Sequence, residues 1–484
     1  MSSIGDGLAR AGMSAAEVRR KVELFEQCRQ ALAALSTSSI PAPEDAGYFV
    51  PGRIEVLGKH TDYAGGRSLL CAMERGIVVR ARPRDDALVR AVDVTRGEVR
   101  EASLAVTGDP SPAQTDRAGA PLKTTGGDWA TYLSTVVHRI ARDFPAARRG
   151  VDIVFASDLP AASGMSSSSA LVIAFFLAIE GVNALSADPR YREAIRTPEE
   201  LGEYLGAVEN GRPHRGMAGG LGVGTLGGSQ DQTAILCCRA GHLTRVAFCP
   251  VRSEGLVPFP VDRTFVLAYS GVAAEKTASA RQRYNEASLA TSELLSIWNA
   301  ATCRNDASLG TAVSTAPDAA ARLSGLLEHA ASADFTPRRL RDRLEQFVTE
   351  SVDIIPHAAD AFAADDMATV GTLVARSQRG AEQLLGNQVP ETIDLVRLAR
   401  ELGADAASAF GAGFGGSVWA LARADDARRF CGAWEAAYRA AHPEAAARAE
   451  FMITKPGPGA LRCGHGGVTA VSSDMHDTSN GARP

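Results

Sequence analysis

Three short stretches carry residue types suited to phosphate and hydroxyl chemistry. The first runs Leu159-Pro-Ala-Ala-Ser-Gly-Met-Ser-Ser-Ser-Ser-Ala170 and continues into the apolar run Leu171 to Ile179. Pro160 and Gly164 mark a turn, and the run behind the serines predicts a buried helix that starts there. A helix start leaves backbone N–H groups unpaired and carries partial positive charge, so loop plus helix makes a phosphate cradle. Serine hydroxyls add donors and one candidate Mg²⁺ ligand. Taken alone, the stretch fits a capped core helix equally well. It is not a Walker A loop, because no Gly-x-x-x-x-Gly-Lys-Ser/Thr occurs there. The second stretch is His60-Thr-Asp-Tyr63, ahead of Gly65-Gly66. It reads either as a functional loop on a rigid strand or as a decorated β-turn. The third is Ser229-Gln-Asp-Gln232, where Asp231 faces a substrate hydroxyl or plain solvent.

The elements that must position these groups follow from periodicity. Ser14 and Glu17 have capping-box spacing ahead of an amphipathic helix through Val18, Val22, Phe25 and Leu32. Ile54 to Leu57 predicts a short strand, Ser68 to Arg82 a longer one, and Val151 to Ala156 a strand leading into the serine loop. A helix over Glu199 to Glu209 precedes a run with eight glycines between Gly211 and Gly228. Thr264 to Gly271 predicts a strand and turn. Helices are expected over Ala278–Ala300, Ala319–Ala331, Pro337–Val352, Met367–Arg376 and Pro390–Leu402. The glycine cluster Phe410 to Gly416 feeds an apolar strand, and Phe451 to Thr454 predicts another. Thr107 to Gly127 reads as an exposed loop, and Gly464 to Pro484 as a disordered tail.

Composition sets the class. The chain has 484 residues, 45% hydrophobic and 22% charged, with net charge −5, which suits two or three packed units. That balance gives no reason to expect nucleic acid or an anionic membrane as partner. Eight cysteines are scattered with no Cys-x-x-Cys pair, so no zinc site or disulfide framework is expected. The longest apolar run falls well short of the ~20 residues that span a bilayer. With no secretory segment expected at the start, these features predict a cytoplasmic protein. Oligomeric state is left open.

Taken together, the stretches resemble the GHMP kinase superfamily, and its galactokinase branch most closely. Pro51-Gly-Arg-Ile-Glu-Val-Leu-Gly-Lys-His-Thr-Asp-Tyr-Ala-Gly-Gly66 is similar to the galactokinase signature. Leu159 to Leu171 resembles the phosphate-binding motif, and Phe410 to Gly416 the glycine-rich third motif. They occur in the family's order and span roughly Tyr48 to Gly459. The resemblance implies an α+β fold of two lobes with the active site between them. The lobes are expected over residues 14–255 and 256–462, with a tail over 463–484. It also implies transfer of the ATP γ-phosphoryl group to a sugar hydroxyl, typically the anomeric one.

The resemblance further implies roles. ATP phosphates would sit on Ser163, Gly164, Met165, Ser166, Ser167, Ser168 and Ser169. Ser168 and Glu209 match the Mg²⁺ ligands, Asp231 the catalytic aspartate and Arg53 its arginine partner. Lys59, His60, Asp62, Gly228 and Tyr284 match positions on the sugar side. Glu209 precedes Asp231 by 231 − 209 = 22 positions, so the glycine-rich run holds an apparent insertion, either lid or inert.

Two departures bear on specificity. Lys59 stands where galactokinases carry a sugar-contacting Glu, and Glu55 where they usually carry Asn. Lys replaces acceptors with donors and inverts the charge. Either Lys59 points to solvent and the sugar is galactose, or the pocket takes another sugar such as galacturonate, arabinose or N-acetylgalactosamine. A sugar sensor without catalysis is a third reading, and intact Arg53, Ser168 and Asp231 weigh against it.

Overall fold

A computed structural model describes residues 3–35, 45–105, 129–160, 164–273, 278–329, 332–464 and 467–473. The expected loop at 107–127 and the tail beyond 473 lie outside the described residues, as does Ser163.

Two sheets form the frame. The larger has strand order β13-β12-β1-β2-β5-β3-β4, with β6 pairing a second stretch of β2 and β7 pairing β6. Its strands are β1 (Ala46–Leu57), β2 (Arg67–Pro83), β3 (Leu88–Asp93), β4 (Glu98–Ser103), β5 (Val151–Ser157), β6 (His242–Ala247), β7 (Arg252–Pro258), β12 (Leu461–Gly464) and β13 (Gly467–Ala470). All its pairings are antiparallel except β3 with β5. The smaller sheet is antiparallel, with β8 (Arg263–Tyr269), β9 (Ala406–Phe410), β10 (Ser417–Arg423) and β11 (Glu450–Thr454) in the order β11-β8-β10-β9.

The larger sheet is covered on both faces. Successive strand side chains point to opposite faces, so Tyr48 and Val50 join one core while Phe49 joins another. The first core takes the helix Ser167–Asn183, which is apolar nearly all round and therefore central rather than superficial. The second takes the helix Ala15–Ala34 through Phe25, Cys28 and Leu32. A further cluster carries Ile54, Val56, Leu57 and Leu69 across to Phe265, Leu267 and Trp419 of the smaller sheet, and it joins the lobes.

Several expectations shift. The boundary between 255 and 256 falls inside β7, which still belongs to the larger sheet. Farther along, the chain returns to that sheet, with β12 on β1 and β13 on β12, so 463–464 and 467–470 are strand rather than tail. The Ser14–Glu17 capping box does not form. Lys21 is fully buried, and its desolvated ammonium draws in Glu17 (3.0 Å) and Asp158.

Candidate active site

The turn and helix start expected of a phosphate cradle form as the residue types demand. Gly164 takes φ 77° and Ser166 φ 62°, and the helix starts at Ser167. The loop is pinned to β1, where Arg53 N–H donates to Met165 O at 3.4 Å. A Cβ at Gly52 would lie 2.9 Å from that same oxygen, so glycine is required for this approach. Across the cleft the Gly411–Gly416 turn comes within van der Waals reach: a Cβ on Gly164 would lie 3.7 Å from Gly416 Cα. Ser166 Oγ is buried and lacks a hydrogen-bond partner among the described residues. An orphaned donor beside a helix N-terminus is what a phosphate oxygen would satisfy.

Arg53 and Asp231 meet across 178 positions of the chain. The β1–β2 register slips between Pro51 and Arg53, and such a bulge re-aims a side chain. Arg53 Nε donates to Asp231 Oδ1 at 2.8 Å, and Nη1 donates to Gly164 O at 2.7 Å. Its guanidinium also lies 5.7 Å from the Phe410 ring centroid. Asp231 sits in the first turn of the helix Gln230–Cys237 and stays 28% exposed, whereas the Arg53 side chain is 4% exposed. The buried cation thus orients a carboxylate that remains open to the cleft.

Glu209 ends the Pro198–Asn210 helix beside this pair. Its Oε2 accepts Ser169 Oγ at 2.8 Å and Gln232 Nε2 at 2.6 Å. Ser169 Oγ also lies 3.4 Å from Asp231 Oδ2. The serine that meets Glu209 is therefore Ser169, one residue beyond the Ser168 expected from the motif. Ser168 is only half-buried on the same helix turn. The oxygen-only set of Glu209, Asp231 and a serine hydroxyl fits a hard cation such as Mg²⁺, which takes few protein ligands.

On the other side of Asp231 cluster Asp62, His60, Tyr63 and Tyr284, where the sugar pocket is expected. Asp62 Oδ2 accepts Gln230 N–H at 3.1 Å, and burial pushes its carboxyl above the ordinary range. Gly228 packs so closely that a Cβ there would lie 2.3 Å from Asp62 Oδ2. His60 holds φ 57°. Its Nε2 faces Ala412 O at 3.1 Å, so Nε2 carries the proton, and Nδ1 accepts from Tyr63 OH at 2.9 Å. Both ring nitrogens are thus engaged, and the ring centroid lies 5.0 Å from that of Tyr284, the planes tilted by 51°. Burial, reinforced by Arg343, pushes the imidazole down to about 3, so it is neutral. Burial also drives the Tyr284 phenol well up, helped by the nearby Asp62 carboxylate.

The glycine-rich run is a pinned wall of this pocket. Val223 N–H donates to Glu209 O at 2.8 Å, and Arg142 Nη1 donates to Gly219 O at 2.7 Å. Asn285 takes Leu226 N–H at 2.9 Å. Asn210 clamps the end of the run, accepting Gly227 N–H at 2.9 Å and donating to Gly228 O at 3.1 Å.

Lys59 reaches neither solvent nor this pocket. It is 1% exposed, and Nζ donates to Ser408 Oγ at 2.7 Å and Ser377 Oγ at 3.1 Å. Glu55 is also buried, with Oε1 lacking a hydrogen-bond partner among the described residues, and desolvation pushes its carboxyl up to about 8 against the pull of Arg53 and Lys59. Sequence reasoning gave no role to Gln232, Arg343, Gln346 or Glu350. Gln232 was within reach, since it flanks Asp231; the other three lie on a distant helix and carry no local signal.

The chain also matches known protein families. Residues 39–83 match the model of the galactokinase galactose-binding signature, residues 131–238 the GHMP kinases N terminal domain and residues 358–440 the GHMP kinases C terminal family. The chain belongs to the galactokinase family of the GHMP kinase superfamily. Among its relatives, the galactokinase of Chloroflexus aggregans is 28% identical over 80% of this chain and 86% of that one. That of Actinobacillus pleuropneumoniae serotype 5b is 26% identical over 77% and 84%. The crystal structure of Lactococcus lactis galactokinase complexed with galactose superposes with a TM-score of 0.68 at 22% identity, covering 89% of this chain and 97% of that one. A Lin0012 protein from Listeria innocua shares the fold at TM-score 0.54 and 14% identity, over 87% and 99%. The chain is a galactokinase-like, ATP-dependent sugar kinase with an α+β GHMP fold. Among the described residues of this GHMP kinase, no helix is long and apolar enough to cross a membrane.

Proposed function

We propose that this kinase phosphorylates the anomeric hydroxyl of galactose, giving the sugar 1-phosphate and ADP. The observation that carries this reading is the position of Asp231. Its carboxylate is oriented by Arg53 at 2.8 Å and lies between Ser169 and Glu209 on one side and Gln230, bonded to Asp62, on the other. A hydroxyl beside Asp231 has a base for its proton and a phosphate seat within reach.

Phosphoryl transfer asks a protein mainly for positioning and charge stabilisation. Backbone N–H groups at the start of the Ser167–Asn183 helix, with the Ser166 hydroxyl, would receive phosphate oxygens. Asp231 accepts the sugar hydroxyl proton as the sugar oxygen bonds to the γ-phosphorus and the bond to the β-phosphate oxygen breaks, releasing ADP. Arg53 holds Asp231 in place and offsets charge on the transferring group. Glu209 with Ser169 or Ser168 would hold Mg²⁺, which neutralises phosphate charge when bound. Asp62 accepts from sugar hydroxyls, while neutral His60 and Tyr284 shape the wall. Because Lys59 is buried against Ser377 and Ser408, it gives no reason to expect an acidic sugar. All eight cysteines are free, which suits a reducing cytoplasm.

The test is sugar-dependent ADP release on galactose, galacturonate, arabinose and N-acetylgalactosamine. Galactose turned over best is the expected result. Galactose as the poorest of the four overturns the substrate, and no ADP release with any sugar overturns catalysis in favour of a sensor.

A further inference from the structure

The turn bearing His60 and Asp62 is gripped from beneath by groups that phosphoryl transfer does not use. Arg343, Gln346 and Glu350 lie three and four residues apart, on one face of the helix Pro337–Val348 and the π-helical turn Thr349–Ile354 that continues it. All three are buried. They take consecutive backbone groups of the turn. Glu350 Oε1 accepts Gly58 N–H at 2.8 Å and Lys59 N–H at 3.4 Å. Gln346 Nε2 donates to Lys59 O at 3.1 Å, and Arg343 Nη2 donates to His60 O. The Lys59 side chain closes the set, because Ser377, one of its two acceptors, donates in turn to Glu350 Oε1 at 2.9 Å. Ser408 lies on β9 and Ser377 on the helix Met367–Gly380, so the ammonium of a β1-proximal turn is seated in the other lobe.

Such an arrangement needs a reason. A buried ammonium on two neutral hydroxyls is costly to desolvate, and an apolar side chain of similar length would pack there more cheaply. His60 moreover holds a left-handed backbone, which a non-glycine residue keeps only where its surroundings over-determine it. The residue so held is two positions from Asp62.

We propose that Lys59 is a positioning residue for sugar recognition. Its ammonium, seated on Ser377 and Ser408, acts with the Arg343–Gln346–Glu350 face to hold His60 in its left-handed conformation and so to place the Asp62 carboxylate. Sugar affinity therefore depends on a contact between the lobes. This rests on Asp62 lying on the sugar side, as argued under the proposed function.

The test measures KM for sugar, KM for ATP, kcat and Tm for Lys59→Met, Ser408→Ala, their double variant and Asp62→Asn. Lys59→Met is expected to raise sugar KM about tenfold, with kcat and ATP KM nearly unchanged, because ground-state placement is what it loses. The factor is expected to be equal for any two sugars turned over. Ser408→Ala moves sugar KM the same way by less, and adds little on top of Lys59→Met, as two members of one contact do. A lowered Tm with sugar KM unchanged makes Lys59 merely structural and overturns the proposal. A changed preference between sugars also overturns it, because Lys59 then touches substrate. If Lys59→Met does not fold, Ser408→Ala decides by the same readouts. Asp62→Asn separates the two layers: if it leaves sugar KM unchanged, the sugar-side reading itself fails. If it raises sugar KM while Lys59→Met does not, only the positioning role fails.

Discussion

Arg53 Nε lies 2.8 Å from Asp231 Oδ1, although 178 positions separate the two residues in the chain. The pair is asymmetric. Arg53 is buried and anchored a second time by Gly164 O, while Asp231 keeps an open edge toward the cleft. A structural ion pair needs no open edge, whereas a general base does. Asp231→Ala is expected to lower kcat by roughly 10²–10⁴-fold with ATP affinity retained. Near-wild-type turnover in Asp231→Ala refutes the base. Arg53→Lys keeps the charge and loses the fork, so an intermediate rate is expected.

Ser169 and Ser168 make a paired test. Ser169 Oγ bonds Glu209 Oε2 at 2.8 Å, while Ser168 lies half-buried one residue earlier. Ser169→Ala is expected to raise the Mg²⁺ concentration for half-maximal activity more than Ser168→Ala does. The opposite ranking, read from Mg²⁺ titrations of the two variants, returns the ligand to Ser168.

Gly228→Ala is expected to damage sugar binding alone. Its new Cβ would lie 2.3 Å from Asp62 Oδ2 and 2.8 Å from Tyr63 N, so the carboxylate must shift. A rise in sugar KM of about tenfold corresponds to about 1.4 kcal/mol of lost binding. An unchanged sugar KM would show that Asp62 is not placed by this contact.

Glu55 makes stability depend on pH. Its carboxyl is raised to about 8 by burial, above the ordinary glutamate value of 4.5 that holds in the unfolded chain. Between those values the folded protein holds a proton that the unfolded chain has released. Stability therefore falls as pH rises through that window, by at most about 1.4 kcal/mol per pH unit. Glu55→Gln removes the slope. Thermal unfolding at pH 5 and pH 8 is expected to show the variant gaining on the native protein at pH 8; parallel shifts at both pH values contradict it.

The strands and helices nearest the motifs were largely legible. The Ser167–Asn183 helix reads from an unbroken apolar run behind Gly164, and β5 from alternation ahead of it. The capping box at Ser14 was misread because a local pattern cannot show that Lys21 is buried and claims Glu17. Residues 463–464 and 467–470 were misread because their polar composition hides the pairing of β13 with β12, which itself pairs with β1 across more than 400 positions.

The sequence by itself determined the chemistry. Glycine and serine at a helix start, with Asp231 and Arg53 in matching motifs, carry the proposed phosphate binding and proton acceptance, because those functions depend on residue type and short spacing. Only the tertiary structure decided which hydroxyl meets Glu209 and where the Lys59 ammonium goes. About 100° of helix rotation separates Ser168 from Ser169 in direction, and Lys59 finds its partners 318 and 349 positions away. Such choices are made by packing between lobes, and no local pattern encodes them.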